Sequence, residues 1–181
     1  VTWQFQIIEE MHLLIIESKA PVSTPNRYRN EFGQLLEHAP FCERDINTPD
    51  FIAPNYNKEV EVKVKFDDGI QSYIYLHHPF DLVGWDGYYF PYTLNINDFM
   101  PITGKIHQPP PVHQTFQSNG FVVCSFVPRL FDYHAKAIPA PYAHSNVDSD
   151  EIIFYSEGEF MSRKGIETVS YTHLTLPTRL P

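Results

Sequence analysis

Alternation is clearest in EVEVKVKF, residues 59–66, where Val60, Val62, Val64 and Phe66 alternate with Glu59, Glu61, Lys63 and Lys65. Period two predicts a strand with one face toward a core and the other in water. Asp67-Asp68-Gly69 supplies a hairpin turn, and IQSYIYLHH, residues 70–78, the returning strand. Three further apolar runs predict strands. HLLIIES, residues 12–18, is short and β-branched and ends at KAPVSTP, which suits a buried strand followed by a loop. NGFVVCSFVPRLF, residues 119–131, predicts a strand stopped by Pro128. DEIIFYSEGEFMSRKG, residues 150–165, predicts a strand, a turn and the start of another strand.

The segments between these runs are irregular. Residues 27–54 are polar and punctuated by proline, with one helical turn, and predict an ordered connector. Residues 79–101 are aromatic and studded with Gly and Pro, which suits a packed irregular segment. GKIHQPPPVHQTF, residues 104–116, sets His107 and His113 around three prolines and predicts a stiff loop. Short strands joined by proline-rich turns predict an all-β sandwich or barrel. Sixteen prolines in 181 residues argue in the same direction, because proline breaks interior helices.

Charge narrows the partners. A formal net charge of −9 with no basic cluster speaks against nucleic acid. No apolar run approaches the ~20 residues a membrane-spanning helix needs, so the expected setting is cytoplasmic, away from membranes. Cys42 and Cys124 are far apart, lack a CxxC arrangement and predict two reduced, buried thiols. No Met opens the chain, so residue 1 reads as an internal cut. VSYTHLTLPTRLP resembles translated sequencing-adapter read-through, and residues 168–181 are therefore expected to carry no evolved structure.

Candidate chemistry gathers in PAPYAHSNVDSDEIIFYSEGEF, residues 139–160. His144 and the acids Asp148, Asp150 and Glu151 lie at a loop-to-strand transition. An imidazole and a carboxylate on one barrel wall would supply two of the three protein ligands of a facial triad on Fe(II). On spacing alone, the simpler reading is a loop-capping histidine beside a solvated acidic turn.

The neighbouring residues carry a resemblance. Glu151 and Gly158, separated by IIFYSE, are similar to the glutamate-to-glycine part of the first cupin motif. Pro141-Tyr142-Ala143-His144-Ser145-Asn146 ahead of Glu151 resembles the Pro-Tyr-x-His-x-Asn segment of the homogentisate 1,2-dioxygenase family. PFDLVGWDGYYFPY, residues 79–92, resembles that family's tryptophan-glycine-proline block. RYRNEFGQLLEHAPFCERD, residues 27–45, reads like its bacterial branch, and the likeness runs over residues 11–167.

The resemblance implies a cupin, a jelly-roll-like β-barrel. The chain would span the end of an N-terminal cupin-like β domain and connector (1–50), a linking β-hairpin region (51–80) and much of a C-terminal iron-binding cupin (81–167), before the tail at 168–181. It also implies Fe(II) held by two histidines and a glutamate, here His144 and Glu151, with Asp150 a competing candidate by strict count. A third ligand is expected from a Pro-His-Gly-Pro segment. Nothing like it follows Gly165, so the chain as given is expected to bind iron poorly.

Tyr142 and Phe160 would lie against the substrate, and Phe160 stands where animal members carry a tyrosine. Asp86, in Trp85-Asp86-Gly87, stands where they carry a histidine that assists deprotonation. The implied reaction opens homogentisate to maleylacetoacetate with dioxygen, in tyrosine and phenylalanine catabolism. The implied partners are a small aromatic acid and further copies of the chain, as a trimer or larger. The alternatives are a non-catalytic cupin that binds a small molecule, a metal-dependent isomerase, and a gentisate-type dioxygenase.

Overall fold

The computed structural model describes residues 3–50, 57–79, 91–101, 113–130, 134–137, 145–159, 165–174 and 178–179. It is all-β, with 31% of residues in strands and 7% in helices, consistent with the cupin-like class. The strands are β1 Ile46–Asn47, β2 Val60–Phe66, β3 Gly69–Tyr75, β4 Thr93–Leu94 and β5 Gln114–Ser118, then β6 Phe121–Cys124, β7 Ser145–Asn146, β8 Glu151–Tyr155, β9 Ser170–Leu174 and β10 Thr178–Arg179. Among the described residues they form antiparallel pairs: β1 with β4, β2 with β3, β5 with β6, β7 with β10 and β8 with β9. Among the described residues, three short 3-10 turns accompany the strands.

The chain divides into two compact units, one of residues 1–5 and 44–94, the other of residues 6–43 and 95–181. In the first, Phe66 lies opposite Gly69, so Asp67-Asp68 makes the two-residue turn that the alternation predicts. Val60, Val62 and Val64 are half-buried between exposed Glu61, Lys63 and Lys65. The alternation holds, but the expected core face is only partly covered, and β3 is exposed along its whole length.

In the second unit the core is built by the stretch expected to be a connector. Tyr28, Ala39 and Phe41 are buried there, together with Phe99 and Tyr155. Phe41 stacks on Phe99 with ring centroids 5.4 Å apart. The backbone follows, because Met100 N donates to Pro40 O at 2.8 Å. Tyr28 closes a 3-10 turn by donating from its N to Pro25 O, and its own carbonyl accepts from Leu36 N. A few aromatic anchors therefore outweigh the polar, proline-rich composition around them.

Other expectations need correction. Residues 12–18 form no strand, and Leu13, Leu14, Ile15 and Ile16 are exposed. An apolar β-branched run sets propensity, but a strand also needs a partner ladder, and this run has none among the described residues. Pro128 does not stop β6. That strand ends at Cys124, opposite the first residue of β5, with one further backbone hydrogen bond from Ser125 N to His113 O. The last residues of the expected stiff loop, Gln114, Thr115 and Phe116, are themselves strand. Neither cysteine is fully buried and neither forms a disulfide. Ser170–Leu174, inside the tail expected to lack structure, pairs with all of β8. Its Tyr171 and Thr172 have the aromatic and β-branched character strands favour.

Candidate functional site

Glu151 opens β8, and Gly158 lies beyond its end with φ +76, a left-handed turn conformation that glycine adopts without strain. Burial along the strand increases toward its end, where Phe154 is half-buried as well. Tyr155 is buried, Glu151 and Ile153 are half-buried, and Ile152 is 61% exposed. Period two puts Glu151, Ile153 and Tyr155 on one face. Across the ladder, Tyr155 Oη and Thr172 Oγ1 meet at 3.2 Å. The opposite face carries Ile152 and His173, which are direct partners in the register. Asp150 Oδ2 lies 3.7 Å from His173 Nε2, with both side chains exposed. The two competing carboxylates thus belong to different surroundings: Asp150 to the exposed pair, Glu151 to the covered face.

A second polar interior comes from β5 and β6. Gln114 lies opposite Cys124, whereas Phe116 lies opposite Val123, so Thr115 is an extra residue on β5. Such a β-bulge bends the strand and re-aims a side chain. It explains two consecutive buried polar residues, Gln114 at 1% exposure and Thr115 at 2%. Thr115 Oγ1 and Ser125 Oγ share a 2.7 Å hydrogen bond. Among the described residues, Gln114 Oε1 is buried and has no hydrogen-bond partner.

Electrostatics ties these elements together. Burial pushes the Cys124 thiol up from its ordinary value, the Glu151 carboxylate adds to the rise, and the Arg27 guanidinium opposes it. Burial likewise raises the Tyr28 phenol, Arg27 opposes, and Cys124 adds a small rise. Arg27 also sits 6.0 Å from the Tyr28 ring centroid. His38 contacts Tyr28 edge-on and hydrogen-bonds the Arg27 carbonyl through Nε2 at 2.9 Å. Arg27, Tyr28 and His38 therefore form one contact group within the second unit.

Of the residues singled out in the sequence, Asp86, Tyr142, His144 and Phe160 lie outside the described residues. Among the described residues, no group of three His, Cys, Asp or Glu side chains could hold a metal ion. The described histidines have local contacts: His113 against the Phe126 ring, His77 against Tyr75 and the His78 carbonyl, and His134 accepting from Lys136 N. No helix among the described residues is long and apolar enough to cross a membrane.

Gln114 and the bulge escaped the sequence reading. The signal that marks them is Asn119-Gly120, a two-residue hairpin turn between QTFQS and FVVC, with Gly120 at φ +86.

No family model matches the chain, and no solved structure matches it. It is 47% identical over 165 residues, 91% of its length, to a protein of Saccharolobus solfataricus named "Putative dioxygenase SSO1533". The chain spans 43% of that relative's length, and what it shares with the relative is the greater part of its own sequence.

Proposed function

We propose that the chain is part of an Fe(II)-dependent ring-cleaving dioxygenase acting on an aromatic acid of the homogentisate type. The observation that carries this reading is the 47% identity to the Saccharolobus relative, whose name specifies a dioxygenase. The homogentisate-like motifs around His144 and Trp85 narrow the substrate class. The position of Glu151 supports the metal: the residue is half-buried on the face of β8 that ends in buried Tyr155, opposite the exposed Asp150–His173 pair. A carboxylate so placed fits the oxygen donor of a two-histidine, one-carboxylate iron site.

In this reading Glu151 and His144 hold the metal, with a second histidine supplied from the rest of the protein. Ferrous iron, when bound, supplies open positions at which substrate and dioxygen meet. Asp86 takes up the proton of a ring hydroxyl. It does so less readily than an imidazole, because a carboxylate is the weaker base. Tyr142 and Phe160 lie against the ring, and Phe160 contributes shape without a hydrogen bond. The enzyme works on a small soluble acid, as a homo-oligomer in the cytoplasm.

The test uses the full reading frame from which the chain comes. Stoichiometric iron and oxygen uptake with homogentisate are expected. Glu151→Gln is expected to lower iron content at least ~10-fold, since even residues that only orient metal ligands cost that much. Asp150→Asn is expected to leave iron content unchanged. An iron-free protein that consumes no oxygen with homogentisate or gentisate overturns the reading.

A further inference from the structure

We propose that the outer edge of β3 is a self-pairing surface. Two copies of the chain join β3 to β3, antiparallel and centred on Ser72, into one sheet of order β2-β3-β3-β2. The pairing involves neither Glu151 nor a metal, so it stands apart from the oxygenase reading.

Hydrogen-bond phase sets what β3 offers. The Asp67-Asp68 turn closes on Phe66 and Gly69. A two-residue turn closes on a hydrogen-bonded pair, and such pairs alternate along an antiparallel ladder. Gly69, Gln71, Tyr73 and Tyr75 therefore direct their backbone groups to β2, whereas Ile70, Ser72 and Ile74 turn theirs outward. Among the described residues β3 pairs with β2 alone. All of β3 is exposed, with Ile70 at 67% and Ile74 at 58%.

The two edges of the hairpin differ in charge. On β2 the outward groups belong to Glu61, Lys63 and Lys65, the partners of Ile74, Ser72 and Ile70. Charged residues, lysine above all, guard an edge strand against pairing. β3 carries no charge from Gly69 to Tyr75. One guarded edge and one open edge limit the association to two copies.

The occupant follows from the self-complementarity of β3, which a two-fold contact requires. Ser72 is the middle residue of the strand. Full antiparallel overlap sets Ser72 opposite Ser72 of the second copy, and Ile70 opposite Ile74 of the second copy. Every outward residue then meets an outward residue, so each opposed pair exchanges both of its hydrogen bonds. The side chains agree with this register. On one face Val62 and Tyr73 run on to Gln71 and Val64 of the second copy. Tyr73 Oη already donates to Gln71 Oε1 at 3.1 Å within the strand, so the same bond can form across the join. On the other face Glu61 and Ile74 run on to Ile70 and Lys65 of the second copy, and no like charges adjoin.

Edge pairing of this length buries less than roughly 1,200 Å², the range of weak encounters, and leaves both sheet faces in water. Sedimentation equilibrium of the 181-residue chain is therefore expected to show a monomer at ~5 μM and a monomer–dimer equilibrium by ~0.5 mM. Ser72→Glu gains Lys63 as a partner within its own hairpin, but sets two glutamates opposite each other in the dimer. It is expected to weaken association at least ~5-fold. A chain that stays monomeric at ~0.5 mM, or a dimer that Ser72→Glu leaves unchanged, overturns the proposal.

Disulfide trapping reads the register directly, in a Cys42→Ser, Cys124→Ser background. Opposed residues of a hydrogen-bonded pair have Cα atoms about 5.5 Å apart, within reach of a disulfide. Ser72→Cys is expected to cross-link with itself under mild oxidation. Ile70→Cys lies roughly 13 Å from its own copy and is expected to cross-link only when mixed with Ile74→Cys. Equal cross-linking by Ser72→Cys and Ile70→Cys alone overturns the register. In the full reading frame, β3 amides protected from hydrogen exchange in a monomer also overturn the proposal, because another strand of the same protein then occupies the edge.

Discussion

The β2–β3 hairpin alternates valine with charge through its whole first strand, whereas the β5–β6 hairpin breaks its alternation at Thr115. The regular hairpin is the one the sequence announces, yet its returning strand is exposed throughout. The irregular hairpin follows a proline-rich stretch of sequence that gives no hint of it, yet it buries Gln114 and Thr115 almost completely. Regular alternation reports how a chain pairs with itself. An interrupted one reports where the backbone has been bent toward something it must reach.

The contrast can be broken most directly at Thr115. Thr115→Val keeps the shape and removes the hydroxyl that meets Ser125 Oγ. It is expected to cost about 1 kcal/mol in urea denaturation, since a half-buried partner loses its bond. The double variant Thr115→Val, Ser125→Ala is expected to recover part of that loss. A neutral single variant would mean that the bulge holds its shape without this bond.

A smaller effect lies at Cys124, where burial and the Glu151 carboxylate both raise the thiol. A thiol raised on folding contributes stability that is fully present below its unfolded pKa, about 8.5. That contribution is lost as pH rises from there through the folded value. In a Cys42→Ser background, alkylation of Cys124 is therefore expected to begin at higher pH than for a free thiol. Glu151→Gln removes the nearby negative charge and is expected to move the onset to lower pH. An onset that Glu151→Gln leaves in place would show that the Glu151 charge does not act on the Cys124 thiol.

The smallest effect belongs to the regular hairpin. Ile74 is exposed on β3, so Ile74→Thr is expected to stay within ~0.5 kcal/mol of wild type. A loss well above that would show that β3 has cover in solution, and the two hairpins would then differ less than their burial suggests.

Much of the candidate site was legible at the level of register. Glu151 at a strand start and Gly158 in the turn after it follow from IIFYSE and the glycine's tolerance of positive φ. The separation of Glu151 from Asp150 was not legible by counting, because adjacent residues look alike along a line. It follows from which face of β8 is covered, and only packing decides that. Gln114 was obscured because the prolines before it suggested a loop, although Asn119-Gly120 marked the hairpin.

The sequence by itself determined the all-β class, the β2–β3 register and the position of the β8 strand. These depend on local alternation, proline content and turn residues, which act over a few neighbours. Tertiary structure alone decided that Tyr28 and Phe41 form a core, that Leu13 to Ile16 stay exposed, and that a glutamine rather than an aliphatic residue fills the inner end of β5. Burial is a property of what arrives from elsewhere in the chain, and a local pattern can state a need for cover without naming what provides it.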